Sequence, residues 1–199
     1  MSARIYAEGG GPGQLYDSLF RAAWKEFFQS AGLAGRLPRV IRGEGRSQTF
    51  DLFITAVQTH RAGEVPFLLV DSEDPVQAGH SVWQHLKARD NWDKPEGVSN
   101  DHAFLMVQVM ETWLIADREL LRNYFGGALR EQHLPHWPAL EAVSKPTIFA
   151  ALNQATAGCS KPYAKGKVSY ELLSKLNPAL VETACPYARK MLDKLRTLA

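Results

Sequence analysis

The sequence predicts an α/β fold in which a parallel sheet is flanked by helices and followed by a helical C-terminal region. In the first part of the chain, four short apolar segments alternate with amphipathic segments, the pattern of repeated strand and helix units. The strand pattern stops near residue 110, and six prolines beyond it separate short helical segments. We therefore predict an α/β domain over residues 1–125 and a helical region packed on it over residues 126–199.

The strand segments are residues 4–7, 38–42, 65–70 and 102–109. The third, VPFLLV, is apolar throughout, which is typical of a central strand covered on both faces. Apolar residues in the two intervals between the first three strands recur at helical spacing, so each interval is predicted to be a crossover helix. After the fourth strand, residues 126–145 are predicted to be rich in loops.

The composition indicates a globular protein but does not decide whether it binds nucleic acid. The chain has 199 residues, 45% of them hydrophobic, enough for a full core, and a net charge of +2 that neither requires nor opposes a nucleic-acid partner. Its two cysteines lie far apart, which fits a reducing compartment such as the cytoplasm. No apolar run has the length of a membrane span and the N-terminus lacks a signal-peptide layout, so we expect no membrane role.

Acidic residues follow three of the predicted strands. Glu8 comes after the first strand, Asp71, Glu73 and Asp74 come after the third, and Glu111 comes after the fourth. Because ligands of a parallel sheet bind beyond the carboxyl ends of its strands, we expect these acids to face one crevice. Asp71 and Glu73 point the same way if the segment is extended, and Asp74 takes the place of Glu73 if it turns.

Carboxylate oxygens gathered in this way suit a hard cation such as Mg²⁺ or Mn²⁺. Each acid taken alone has a structural alternative, and Asp71, which precedes Ser72 and Pro75, is a candidate helix cap. The set favours a metal site, because several crowded carboxylates repel one another unless a cation is present.

The glycine-rich segment GGGPG follows Glu8 directly. It is not a nucleotide-binding P-loop, because no Gly-Lys-Ser/Thr follows it. Gly9, Gly10 and Gly11 either let backbone amides approach a phosphate beside Glu8 or permit positive φ in a turn. Both interpretations remain open at this point.

Two basic clusters are candidate nucleic-acid contacts. Arg42 and Arg46 lie around the end of the second strand, at the sheet edge predicted for Glu8, where they can bind phosphates. The segment KPYAKGK interleaves cations with an aromatic residue, as backbone-binding segments often do, although a solvated basic loop is the alternative. Its predicted nucleic-acid-binding residues are Lys161, Lys165 and Lys167.

A glutamate followed by glycine after the first strand, with an acidic cluster after the third, resembles the Toprim catalytic domain of topoisomerases, primases and OLD-type nucleases. The ordered segments AEGGG, LLVDSED, VQVMETWLIAD, KPYAKGKVSYELL and CPYARKMLDKL resemble, over nearly the whole chain, the bacterial domain-of-unknown-function 4276 family. The resemblance implies a Toprim-like group related to nuclease subunits found beside AAA-type ATPases in phage-defence loci.

The resemblance implies a cytoplasmic, Mg²⁺- or Mn²⁺-dependent nuclease that hydrolyses phosphodiester bonds of DNA or RNA in anti-phage defence, with an AAA-type ATPase partner. It implies that Glu8 is a general acid or base or a metal ligand, that Asp71 is a metal ligand, and that Glu73 or Asp74 supplies the second acid of the cluster. Glu111 matches the family's acid before a tryptophan and joins the catalytic set. The alternatives are a non-catalytic Toprim-like subunit that binds nucleic acid or protein and, more weakly, a phosphohydrolase of small substrates.

Overall fold

The structure, a computed structural model, describes residues 2–9, 14–59 and 62–198. Residues 10–13 of the glycine-rich segment, which include Gly10 and Gly11, therefore lie outside the described residues, whereas Gly9 is among them. The strands are β1 (Ser2–Glu8), β2 (Arg39–Gly43), β3 (Glu64–Asp71) and β4 (Ala103–Met106). The helices are α1 (Gln14–Phe28), α2 (Arg46–Thr59), α3 (Val82–Asp90), α4 (Glu111–Ala116), α5 (Arg118–Phe125), α6 (Lys145–Thr156), α7 (Lys167–Leu173), α8 (Pro178–Ala184) and α9 (Pro186–Thr197).

The four strands form one parallel sheet in the order β2-β1-β3-β4, which confirms the predicted fold class. Glu8 at the end of β1 is in register with Gly43 at the end of β2, and Asp71 at the end of β3 is in register with Met106 at the end of β4. All four strands thus end at one edge of the sheet, where their loops can meet.

Alternating side chains of the strands serve two apolar layers. Ile5 and Leu69 belong to a layer with Trp24 of α1 and Trp113 of α4, whereas Leu68 lies in the layer on the opposite face. This period of two buries both faces of the sheet and explains the apolar sequence of β3.

The fourth strand is shorter than predicted. It ends at Met106, although Val107 and Val109 are 3% and 0% exposed. Their burial comes from packing in the turn that leads to α4, not from strand pairing, and an apolar run alone does not separate these two environments.

The C-terminal helices pack against the sheet unit: α7 contacts α1, α8 contacts α4 and α9 contacts β4. Residues 126–145 contain short 3₁₀ turns before α6 begins, in agreement with the predicted loop-rich segment. The division into two domains at residue 125 stays a prediction. Among the described residues, no helix combines the length and the apolar character needed to cross a membrane.

Gly43 allows β2 to approach α2 closely. A Cβ at this position would lie 2.0 Å from Thr49 Oγ1 and 2.7 Å from Thr49 Cα, whereas a Cβ at Gly45 would meet no atom within 4 Å. The turn from β2 into α2 therefore needs a residue without a side chain at its first position and tolerates one two residues later.

We predict that Gly43→Ala lowers the free energy of unfolding by about 1–3 kcal/mol, because the new methyl overlaps Thr49. Gly45→Ala is the matched control and should change it by less than about 0.5 kcal/mol. Urea unfolding followed by circular dichroism measures both values, and equal stabilities of the two variants would contradict the described packing.

Candidate active site

Three acids converge at the carboxyl edge of the sheet. Glu8 ends β1, Asp71 ends β3 and Glu73 lies two residues beyond, and each offers a carboxylate oxygen within 4.8 Å of the others. The convergence follows from the topology, because β1 and β3 are neighbouring parallel strands with Ala7 opposite Leu69. The predicted crevice of acids is therefore present in the fold.

Glu73, not Asp74, joins this cluster. The segment turns at Glu73, which has the left-handed φ of 66°, and the Glu73 amide donates to the Gln108 carbonyl at 2.8 Å. Asp74 is exposed and pairs with Arg89 at 3.2 Å. The expectation that a turn would exchange Glu73 for Asp74 is wrong, because the turn is made at Glu73 itself and its side chain stays beside Asp71. Such strained positions of non-glycine residues concentrate at functional sites.

Asp71 is almost fully buried. Its Oδ1 accepts a hydrogen bond from the Met110 amide at 2.9 Å, so it holds the turn before α4 and does not cap the segment that follows it. Burial raises the pKa of Asp71 well above its usual value, and the neighbouring Glu111 and Glu8 raise it further, against the opposing effects of Lys165 and the Met110 amide.

Glu111 is the first residue of α4, and it is 0% exposed. Its Oε1 accepts a hydrogen bond from the Tyr163 hydroxyl at 2.5 Å, while its Oε2 has no hydrogen-bond partner among the described residues. Glu111, Glu8, Asp71 and Lys165 line one cavity of about 130 Å³. Glu111 thus lines the same cavity as Glu8 and Asp71 and has one buried oxygen without a hydrogen-bond partner among the described residues.

Glu8 is half-buried at the mouth of the cluster. Its Oε2 accepts no hydrogen bond from the described residues and lies 3.6 Å from Arg46 Nη1. Burial raises the pKa of Glu8, and the charge of Glu73 adds to this, while Arg46, Lys165 and Lys145 lower it.

Gly9 follows without a positive φ, and a Cβ there would lie 2.8 Å from atoms of Arg42 and Phe20. Close packing, not turn geometry, requires glycine at this position.

The two arginines predicted to bind phosphate have other partners. The Arg42 side chain is 3% exposed and donates to Asp17 at 2.5 Å and to the Gly9 carbonyl at 3.3 Å. Arg46 donates to the Asp71 carbonyl at 2.5 Å and to both oxygens of Asp90. These contacts tie both residues to the strand ends, and their binding of phosphate stays a prediction.

The three lysines of KPYAKGK separate. Lys165 lines the acid cavity, and although burial lowers its pKa, attraction to Glu111, Asp71, Glu8 and Glu73 outweighs that effect and raises it. Lys161 lines a different groove, and Lys167 lies 4.0 Å from Glu171 on the surface of α7. The structure therefore brings Lys165 to the acids and places Lys161 and Lys167 outside the cavity.

Sequence reasoning missed Lys145, Arg89 and Asp90. The Lys145 ammonium pairs with Glu73 Oε2, and Arg89 lies 3.9 Å from the same oxygen. Lys145 is 72 residues from Glu73 in the chain, and no local motif indicates that the two meet. The only sequence signal for these cations was the number of acids at the strand ends, because crowded carboxylates require cations or protons nearby.

The donor set fits Mg²⁺ or Mn²⁺. It consists of carboxylate oxygens, the ligands that these cations prefer, on three residues fixed by strand ends and a turn. Buried oxygens of Glu8 and Glu111 lack hydrogen-bond partners among the described residues, as expected of atoms that complete their contacts with a bound ligand.

We predict that Mn²⁺ at about 100 times its Kd raises the Tm by roughly 5–10 °C near neutral pH. Asp71→Asn should abolish this rise, while Asp74→Asn, which changes an acid outside the cluster, should retain it. Thermal unfolding with and without Mn²⁺ is the measurement, and a rise that survives Asp71→Asn would contradict the assignment.

At one fixed Mn²⁺ concentration, the rise in Tm should also be larger at neutral pH than at mildly acidic pH. The folded-state pKa values of Glu8 and Asp71 lie above their usual values, so these groups stabilise the metal-free fold at low pH and lose that contribution as pH rises through the raised values. Protons therefore compete with the cation most strongly at low pH. A rise that is equal at both pH values would contradict the proposed competition.

Comparison with known proteins places the chain in a family. No curated protein and no solved structure matches the chain. A family model described as a domain of unknown function, DUF4276, matches residues 7–196 and so includes Glu8, all of the DSED segment, Glu111 and the loop that carries Lys165. Since this match spans almost the whole chain, the protein belongs to the DUF4276 family.

Proposed function

We propose that the protein is a metal-dependent nuclease that hydrolyses phosphodiester bonds of DNA or RNA. The observation that carries the proposal is the cluster of Glu8, Asp71 and Glu73 at the carboxyl edge of a parallel sheet, with oxygens within 4.8 Å of one another. Divalent-cation sites that act on phosphates are built from a small number of carboxylates of this kind.

Glu8, Asp71 and Glu73 would hold Mg²⁺ or Mn²⁺, which supplies stabilisation of the charge on the phosphoryl oxygens when bound. Asp71 is fixed by the Met110 amide and by burial, so it presents its free oxygen in one direction. Glu8 is more accessible, and its raised pKa suits a residue that takes up a proton from an attacking water. Glu8 thus keeps both of its proposed roles, ligand or general base.

Lys165 is the cation best placed to meet substrate. It lines the cavity with three acids and its ammonium lies 5.5 Å from the centroid of the Phe149 ring. Its charge, retained because its pKa is raised, can neutralise a phosphate that approaches the cluster. Glu111 remains in the proposed catalytic set as the buried acid whose orientation is fixed by Tyr163.

A second groove is proposed as the path of the nucleic-acid backbone. Its lining includes Lys161, Lys175 and Tyr124, and also the acid Glu171. Lys161 and Lys165 are four residues apart, so at most about 14 Å separates their Cα atoms, a span of two or three nucleotides. Cations beside an aromatic ring are typical of surfaces that bind single strands.

The Toprim relationship, the role in phage defence, the AAA-type ATPase partner and the cytoplasmic location remain proposals that rest on resemblance. The alternative of a non-catalytic subunit has one observation in its favour. Glu73 already pairs with Lys145 and Arg89, as in a structural ion-pair network. A phosphohydrolase of small substrates would use the same cluster without the groove.

The test is cleavage of plasmid DNA, single-stranded DNA and tRNA with Mg²⁺ or Mn²⁺. Glu8→Gln and Asp71→Asn should each lower the cleavage rate at least about 100-fold, because each removes a ligand of the proposed metal. Asp74→Asn is the matched control and should cleave at nearly the wild-type rate.

Cleavage that persists in Asp71→Asn would contradict the proposed site. A wild-type chain that binds nucleic acid but cleaves none of these substrates, alone or with an ATPase partner, would favour the non-catalytic subunit. Turnover of small phosphate esters alone would favour the third interpretation.

We further predict that Lys161→Ala weakens binding to single-stranded DNA and lowers the slope of log K against log[salt] by about 0.7, because one phosphate contact is lost. Lys165→Met should instead lower the cleavage rate by about tenfold or more with the smaller effect on binding. Fluorescence anisotropy at several salt concentrations and single-turnover cleavage separate the two effects. Equal effects of the two variants on binding would contradict the proposed path.

A further inference from the structure

We propose that Asp90, the last residue of α3, is a positioning residue that sets the affinity of the acidic cluster for a divalent cation by holding Arg46 away from Glu8. The inference rests on the cation of the proposed function. It assigns a role to a residue that touches neither the cluster acids nor their predicted ligand.

Asp90 fixes the plane of the Arg46 guanidinium. Arg46 Nε and Nη2 donate to the two oxygens of Asp90 at 2.8 and 2.7 Å, a bidentate pair. The remaining nitrogen, Nη1, donates to the Asp71 carbonyl at 2.5 Å, and the guanidinium carbon lies 5.1 Å from the centroid of the Trp92 ring. A planar fork held on these sides has little freedom to turn.

The bidentate pair with Asp90 leaves Arg46 close to Glu8 but too far away for a hydrogen bond. Nη1 lies 3.6 Å from Glu8 Oε2, about 0.8 Å beyond a charge-assisted hydrogen bond. Glu8 Oε2 accepts no hydrogen bond among the described residues, so it is free for a cation. If Arg46 were released, a small shift would let the guanidinium take this oxygen and compete with the metal.

Charge supports the same role. The Asp90 side chain is 10% exposed and offsets the positive charge of Arg46, which would otherwise oppose a second cation at the cluster. Arg89, next to Asp90 in the sequence, contacts the Asp90 carboxylate and lies 3.9 Å from Glu73. The C-terminal end of α3 therefore contacts one cation near Glu8 and supplies another near Glu73.

The experiment is calorimetric titration of the full chain with Mn²⁺ in the absence of substrate. Asp90→Asn should weaken Mn²⁺ binding by about tenfold or more, because the released guanidinium of Arg46 can occupy the Glu8 oxygen that the cation needs. Arg46→Gln should bind within about threefold of wild type, because the competing cation is gone. Asp93→Asn is the control, since Asp93 is 80% exposed and pairs with Lys87.

The double variant Asp90→Asn/Arg46→Gln separates positioning from a merely structural role. We expect it to bind Mn²⁺ within about threefold of wild type and more tightly than Asp90→Asn, because the cation that Asp90 holds and offsets is also removed. A structural role predicts that the double variant is the weakest binder, and that result would overturn the proposal. Should Asp90→Asn fail to fold, as judged by circular dichroism, Asp90→Glu and the double variant carry the test, and Asp90→Glu should bind within about threefold of wild type.

Failure of this inference differs from failure of the proposed function. Wild-type binding that Asp90→Asn leaves unchanged would overturn the role of Asp90 alone. A flat wild-type titration would remove the metal from the proposed function and overturn this inference with it.

Discussion

The main constraint on the candidate site is the electrostatic repulsion between the acids that the parallel sheet brings to one edge. Glu8, Asp71 and Glu73 meet there with oxygens within 4.8 Å of one another, and Glu111 lies buried behind them. Burial and like charge both favour the protonated forms, which is why the pKa values of Glu8 and Asp71 are raised. Four surrounding cations oppose this repulsion: Arg46, Arg89, Lys145 and Lys165.

The fold supplies these cations from separate parts of the chain. Arg46 begins α2, Arg89 lies at the end of α3 and Lys145 begins α6, while Lys165 lies in the loop before α7. The C-terminal region therefore does more than cover one face of the sheet, because it carries two of these four cations. This arrangement leaves buried carboxylate oxygens of Glu8 and Glu111 without hydrogen bonds from the described residues, a state that a divalent cation would relieve.

Local patterns in the sequence were enough to predict the parallel sheet, the segments that form its four strands and the acids at the strand ends. The strands follow from runs of neighbouring apolar residues, and the meeting of the acids follows from the rule that parallel strands end at one edge of the sheet. They were not enough to predict the conformation of Glu73, whose φ of 66° is uncommon for a residue other than glycine. Nor did they indicate that Lys145 meets Glu73 or that Asp90 holds Arg46, since these contacts join residues 72 and 44 positions apart. The partners of Arg42 and Arg46 within the fold were not predicted for the same reason, since Asp17 and Asp90 are distant from them in the sequence.

The most direct test of the central claim is anomalous X-ray diffraction from crystals of the protein soaked in Mn²⁺. The account predicts an anomalous peak within bonding distance of carboxylate oxygens of Glu8, Asp71 and Glu73, at the carboxyl edge of the sheet. Crystals in which Mn²⁺ binds elsewhere, or in which Lys145 and Arg46 still contact the acids and no peak is found between them, would contradict it.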